Sequence, residues 1–147
     1  MLAIAELDHA ILALIAQVER LDHHARLLKS APGVGPVLAA TLIAEPPELG
    51  SVSSRQAAVL VGVAPYDRQS GRRQKTRRCA GGRSHLRKIL YMAALAAIRA
   101  KQANPFKTTY HRLKTAGKAA KVAIVTVMRK VIVTLNTMIR NNTAWAP

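Results

Sequence analysis

Ser70 is followed by Gly71, and six cations, Arg68, Arg72, Arg73, Lys75, Arg77 and Arg78, crowd around the pair within eleven residues. A hydroxyl held among guanidiniums has the makings of a phosphoryl-transfer nucleophile. That chemistry is mostly positioning and charge stabilisation, and clustered arginines provide both. The glycine lets the backbone come close to a substrate. Ser84, Thr76, Tyr66, Tyr91 and Cys79 are the other nucleophiles near this charge. Asp67 is the only carboxylate near it, so paired-carboxylate acid–base work and a carboxylate cage for magnesium are both excluded. From residue types alone, a Ser-Gly turn in a DNA-binding loop remains the plainer alternative to a nucleophile.

The charge of the whole chain explains why such a loop would meet phosphate. All seven acids lie at or before Asp67, against four Lys/Arg, a formal −3 for residues 1–67. Residues 68–147 hold the other nineteen Lys/Arg and no acid, a formal +19. Such a segment repels itself and gains from a polyanion, chiefly by releasing the polyanion's counterions. Arg83, Arg87 and Lys88 stand near the start of an expected helix, where the dipole disfavours cations. Their placement points to an external anion. The expected nucleic-acid contacts are therefore Arg68, Arg72, Arg73, Lys75, Arg77, Arg78, Arg83, Arg87 and Lys88.

Other classes fall away. Only five residues are aromatic, too few for base-stacking readers of single strands. Cys79 is alone, so neither a disulfide nor a cysteine-based zinc site can form within the chain. The five histidines show no ligand spacing, and no metal site is read. The N-terminus lacks the basic flank of a signal peptide. The longest uncharged apolar run, Ile89 to Ile98, is too short to span a bilayer, and no membrane partner is expected. A reduced cytoplasmic protein fits this balance.

The elements that must position the loop are mainly α-helical. Ile4, Leu7, Ile11, Leu14, Val18, Leu21, Ala25 and Leu28 alternate steps of three and four. The pattern reads as a coiled-coil helix over residues 1–28 that self-associates, as a dimer by its β-branched and leucine positions, with an amphipathic helix packed on its own domain as the alternative. Residues 29–147 then form a compact helical domain. Ser30 to Pro36 contains Gly33-Val34-Gly35 and sets Pro36 at a helix start. Helix, Gly-Val-Gly hairpin and helix is a helix-hairpin-helix pattern, whose second helix can hold a phosphate through N–H groups near Gly33 and Gly35. A tight turn between packed helices is the alternative.

Ser53 and Gln56 have capping-box spacing, and the short helix they start should close at Gly62 and Pro65. Residues 65–83 read as a basic loop or small β-hairpin. Helices are expected over residues 84–103, with Ser84 as cap, over 106–115, and over 119–140. The last is expected to bury Val122, Val125, Met128, Ile132, Leu135 and Ile139.

Several of these stretches stand together in one family. Ala31-Pro32-Gly33-Val34-Gly35-Pro36, Ala58 to Pro65, Ser70-Gly71, Gly81-Gly82-Arg83-Ser84-His85-Leu86-Arg87 and Tyr91 to Leu95 occur in that order. Asn104-Pro105, Gly117-Lys118, Lys121, Arg129-Lys130, Leu135-Asn136 and Trp145 follow. From about residue 27 to 145 the chain resembles the C-terminal transposase domain of bacterial insertion-sequence transposases with a RuvC-like N-terminal domain, the bridge-RNA-guided serine recombinases. The resemblance implies that Ser70 attacks DNA and holds a strand covalently during recombination, and that DNA and a guide RNA are partners. It also implies a bacterial, nucleoid-associated protein, and that residues 1–28 occupy the place of the coiled coil joining the two domains. The RuvC-like domain with its magnesium-binding carboxylates lies outside this sequence, so no cofactor is expected here and the chain is expected to be inactive alone. An architectural DNA- or guide-RNA-holding module without chemistry is the competing reading.

Overall fold

The computed structural model describes residues 2–46, 48–66, 69–70, 73–74, 78–79 and 81–146, with backbone alone for residues 2, 65–66, 69–70, 73–74 and 78. Among these, seven helices run in chain order: α1 (Leu2–Gln17), α2 (Glu19–Lys29), α3 (Pro36–Ala44), α4 (Ser54–Val61), α5 (Ser84–Arg99), α6 (Pro105–Thr115) and α7 (Ala120–Asn141). Four two-residue strands, β1 (Pro65–Tyr66), β2 (Gln69–Ser70), β3 (Arg73–Gln74) and β4 (Arg78–Cys79), lie between α4 and α5. The fold is mainly helical, as the hydrophobic periods require.

Helix α7 is the axis of the domain, with α5, α6, α4 and α2 packed around it. Its buried stripe is Ala123, Ile124, Val127, Met128, Val131, Ile132, Leu135, Asn136 and Met138. Val122, expected inside, is 53% exposed. The stripe follows steps through Ala123 and Ile124 that a tally of large residues passes over. By length and composition α7 is apolar enough to cross a membrane, but its apolar side chains form the centre of this core.

The heptad run does not make one straight helix. Val18 has extended backbone (φ −106°, ψ 104°) and separates α1 from α2. The break divides the stripe. Ala25 and Leu28 are buried in the domain, whereas Ile4, Leu7, Ile11, Leu14 and Val18 are 67, 62, 38, 62 and 47% exposed. Ile15, off the stripe, is the buried residue of α1.

Between α2 and α3 the chain turns through Ser30–Gly35. Gly33 has φ +82°, and the space a β-carbon would take is filled by the backbone of Ala93 and by Ala97 on α5. The hairpin is thus pressed onto a small-residue face of α5. Pro36 begins α3 as expected, with Gly35 as N-cap and no side-chain cap.

Helix α4 has the full capping box, Ser53 Oγ accepting from Gln56 N–H and Gln56 Oε1 from Ser53 N–H. The cap of α5 is Arg83 rather than Ser84, and the helix ends at Arg99, four residues short of the expected Ala103. Asn104 accounts for that early stop. Its Oδ1 accepts from Phe106 N–H (3.1 Å) and Lys107 N–H (2.9 Å), capping α6, while its Nδ2 donates to Ala97 O (2.9 Å).

A second buried amide ties α7 to the turn before α4. Asn136, fully buried, accepts from Gly50 N–H (2.8 Å) and donates to Val52 O (2.9 Å). Arg140, one turn on, donates to Gly50 O (3.1 Å) and Val52 O. At the C-terminus Trp145 stacks on buried Phe106 with ring centroids 5.3 Å apart, and its N–H donates to Ser30 Oγ (2.8 Å).

Candidate active site and nucleic-acid interface

The serine lies on a β arm. Strand β1 pairs antiparallel with β4 (Pro65 with Cys79, Tyr66 with Arg78), and β2 with β3 (Gln69 with Gln74, Ser70 with Arg73). The second ladder is nested inside the first in chain order, within the stretch read as a basic loop or small β-hairpin. Ser70 stands in β2 directly across from Arg73, with residues 71 and 72 between the partners. Arg68, Arg72, Lys75 and Arg77 lie outside the described residues; Arg73 and Arg78 are placed by their strands. Cys79 is a free, exposed thiol.

The base of the arm is held by main chain. Gly62 (φ +73°) and Gly82 (φ +68°) meet backbone to backbone, leaving no room for a β-carbon on either. Arg83 N–H donates to Leu60 O (2.9 Å). Arg87 Nη1 donates to Gly81 O (2.7 Å) and reaches Gly62 O at 3.5 Å.

This changes the reading of the α5 start. The anions facing Arg83 and His85 are internal. Glu48 lies 3.7 Å from Arg83, and Glu45 lies 3.9 Å from His85 Nε2. Arg87 is occupied with carbonyls of the arm's base. Of the three residues expected to face an external anion there, Lys88 alone is exposed with no acidic partner among the described residues. The turn at Pro46 that brings Glu45 and Glu48 toward α5 was legible as a helix stop. Its electrostatic role was not, because the two halves of each pair are about forty residues apart.

The hairpin and the arm occupy different ends of α5. Gly33 packs on Ala93 and Ala97 near its C-terminal end, whereas Arg83 and the arm stand at its N-terminus. Gly35 is exposed, at the uncapped start of α3. Among the described residues no cluster of three His, Cys, Asp or Glu could hold a metal ion. On α2, burial pulls His24 below the ordinary imidazole value of 6.5, and the neighbouring charges of Arg20 and His23 pull the same way.

Residues 25–112, from within α2 through the arm and into α6, match the family model described as Transposase IS116/IS110/IS902 family. The chain belongs to this transposase family. The match spans the hairpin, the arm and α5, the parts just described. Among curated relatives of this transposase-family chain, a pilin gene-inverting protein of Moraxella bovis is 32% identical over 143 residues, covering 95% of this chain and 44% of the relative. Its counterpart in Moraxella lacunata is 30% identical over 143 residues, with the same coverage. An insertion element IS116 protein of Streptomyces clavuligerus is 29% identical over 156 residues, covering 98% of this chain and 39% of the relative. The transposase-family chain thus spans less than half the length of the curated relatives it matches.

Proposed function

We propose that this chain is the strand-transfer half of a DNA transposase or recombinase, with Ser70 as nucleophile. The observation that carries the reading is the position of Ser70 on the arm, opposite Arg73 and among the basic residues 68–78, within a chain of the transposase family. The names of the relatives, insertion-element and gene-inverting proteins, support DNA rearrangement as the task.

The step balances simply. Ser70 Oγ gives up its proton and bonds to phosphorus; the ester bond between that phosphorus and one deoxyribose oxygen breaks; the leaving oxygen takes up a proton. The phosphoserine ester keeps the energy of the broken bond, so reversal onto another strand's hydroxyl rejoins DNA without a further energy source. The arginines stabilise charge on the equatorial oxygens. Magnesium is implied by the resemblance only for the RuvC-like domain. The described residues do not fit such an ion, and no step of this chain runs through one.

The remaining parts follow from the same reading. The exposed stripe Ile4, Leu7, Ile11 and Leu14 pairs α1 with a second copy as a coiled coil. The helix-hairpin-helix formed by α2, Ser30–Gly35 and α3 offers N–H groups at Gly35 to a phosphate. Guide RNA is held by backbone contacts, since aromatic residues are few.

A nicked duplex suicide substrate tests the proposal. Mixed with the chain, with and without a RuvC-like domain in trans, it should yield a protein–DNA adduct stable to denaturation and absent from Ser70→Ala. Binding without an adduct in both mixtures would sink the nucleophile and leave an architectural or guide-holding module.

A further inference from the structure

The C-terminal end of α5 carries a surface that the serine arm does not use. Helix α5 has sixteen residues, so its two ends are about 24 Å apart at 1.5 Å per residue. At the far end Lys101 follows the helix, and α6 presents Lys107, His111, Arg112 and Lys114. Lys107, His111 and Lys114 recur at helical spacing along one side. Their seven-residue span covers about 10 Å, the length of roughly three nucleotides at 3.4 Å each.

The ground between them is concave. One depression is lined by Lys101, Lys107, His111 and Arg112, a second by Arg112, Thr109 and Lys130, and a third by Lys29 and the hairpin through Gly35. Ala103 borders all three, which places them side by side around one residue. Arg112 stands on the ridge between the first two, exposed.

Charge decides what would fill this surface. No carboxylate lines any of the three depressions. The ion pairs among the described residues lie elsewhere, at Arg26, Arg83 and His85. Helix-end dipoles explain single cations here, and Lys107 does donate to Ala100 O at the end of α5 (2.9 Å). They do not explain a face without any acid, running into the uncapped start of α3, whose N–H groups also favour an anion. A string of phosphates satisfies both features at once.

We propose that the α5–α6 corner, with the 30–35 hairpin beside it, is a second binding site for the phosphodiester backbone of a double helix, separate from the serine arm. This rests on the reading that the chain binds nucleic acid, and it adds that one chain grips two helical segments. The corner reads no base sequence, because cations and backbone N–H groups contact phosphate only.

The test uses the full chain and hairpin-capped duplexes of about 6 base pairs, one of DNA and one of RNA, roughly 20 Å at 3.4 Å per pair and so too short to bridge the two ends of α5. One variant removes the corner (Lys101→Ala, Arg112→Ala, Lys114→Ala) and another the arm (Arg68→Ala, Arg72→Ala, Arg73→Ala). The parent should take up two duplexes per chain and each variant one. The corner variant should also lose about 2 to 3 from the slope of log K against log salt, at about 0.9 per phosphate. Restoring Arg112 as Lys in that variant should return about one unit of slope. The duplex type that binds more tightly to the arm variant identifies whether the corner takes DNA or RNA. One duplex per parent chain, or a corner variant with unchanged slope beside a weakened arm variant, would overturn the second site while leaving the proposed function intact. No binding of either duplex by the parent would instead refute the nucleic-acid reading on which both depend, and binding untouched by either set would overturn both assigned sites.

Discussion

Replacing Asn136 with Ala removes the buried amide that, beside Arg140, ties α7 to both sides of the turn at Gly50–Val52. Two hydrogen bonds go, each worth about 1 kcal/mol net. Val52 O keeps a donor in Arg140, but Gly50 N–H is left without its acceptor. An orphaned donor in a half-buried position adds to the loss, at the low end of the usual 1–3 kcal/mol. The expected destabilisation is about 2–3 kcal/mol. For a chain of this size that lowers Tm by about 5–10 °C, at 2–4 °C per kcal/mol. Urea titration followed by far-ultraviolet circular dichroism should show the midpoint falling with m unchanged, since the folded surface is the same. Arg140→Ala should be less than additive with Asn136→Ala, because the two side chains share Val52 O. An Asn136→Ala protein within about 0.5 kcal/mol of the parent would mean that the turn's polar groups are content in water, and the argument from buried amides would be wrong.

Other consequences are as open to measurement. Gly33→Ala puts a methyl group into the backbone of α5 at a positive φ, and should cost about 2–4 kcal/mol in a thermal melt; a silent substitution would mean the hairpin does not rest on α5. His24 binds its proton less readily folded than unfolded, so the unfolded chain takes up more protons as pH falls. Stability is then fully present above pH 6.5 and declines as pH drops through the lower folded value, and His24→Gln should flatten that decline below pH 6.5. Ile11→Asp with Leu14→Asp should give monomers by light scattering while leaving the melting temperature of the domain nearly unchanged, both residues being exposed; an unchanged mass would exclude α1 as the pairing surface.

The sequence discloses local rules well here. Proline at the start of α3, the capping box of α4 and the breaks at Gly62 and Asn104 were all legible, because each acts within a few residues. What escaped it acts over distance. Nothing near Arg83 shows that Glu48 will face it, so its position was read as an invitation to an outside anion. The heptad run from Ile4 to Leu28 was legible as a stripe, but not as one shared between the domain core and solvent, since Val18 bends at no signal stronger than a β-branched residue. The stretches that carry the family resemblance gain a physical account. Asn104 and Asn136 satisfy buried backbone, Gly82 permits a close approach, and Trp145 covers Phe106. Much of what carries the resemblance thus builds the platform beneath the arm.

The two glycines at the base of that arm make its mount intolerant of any side chain. Gly81 O stands where a β-carbon of Gly62 would be, and Gly62 N where a β-carbon of Gly82 would be. A single methyl group at either position would force apart the segments by which the chain enters and leaves the arm, so the junction admits nothing larger than glycine on either side.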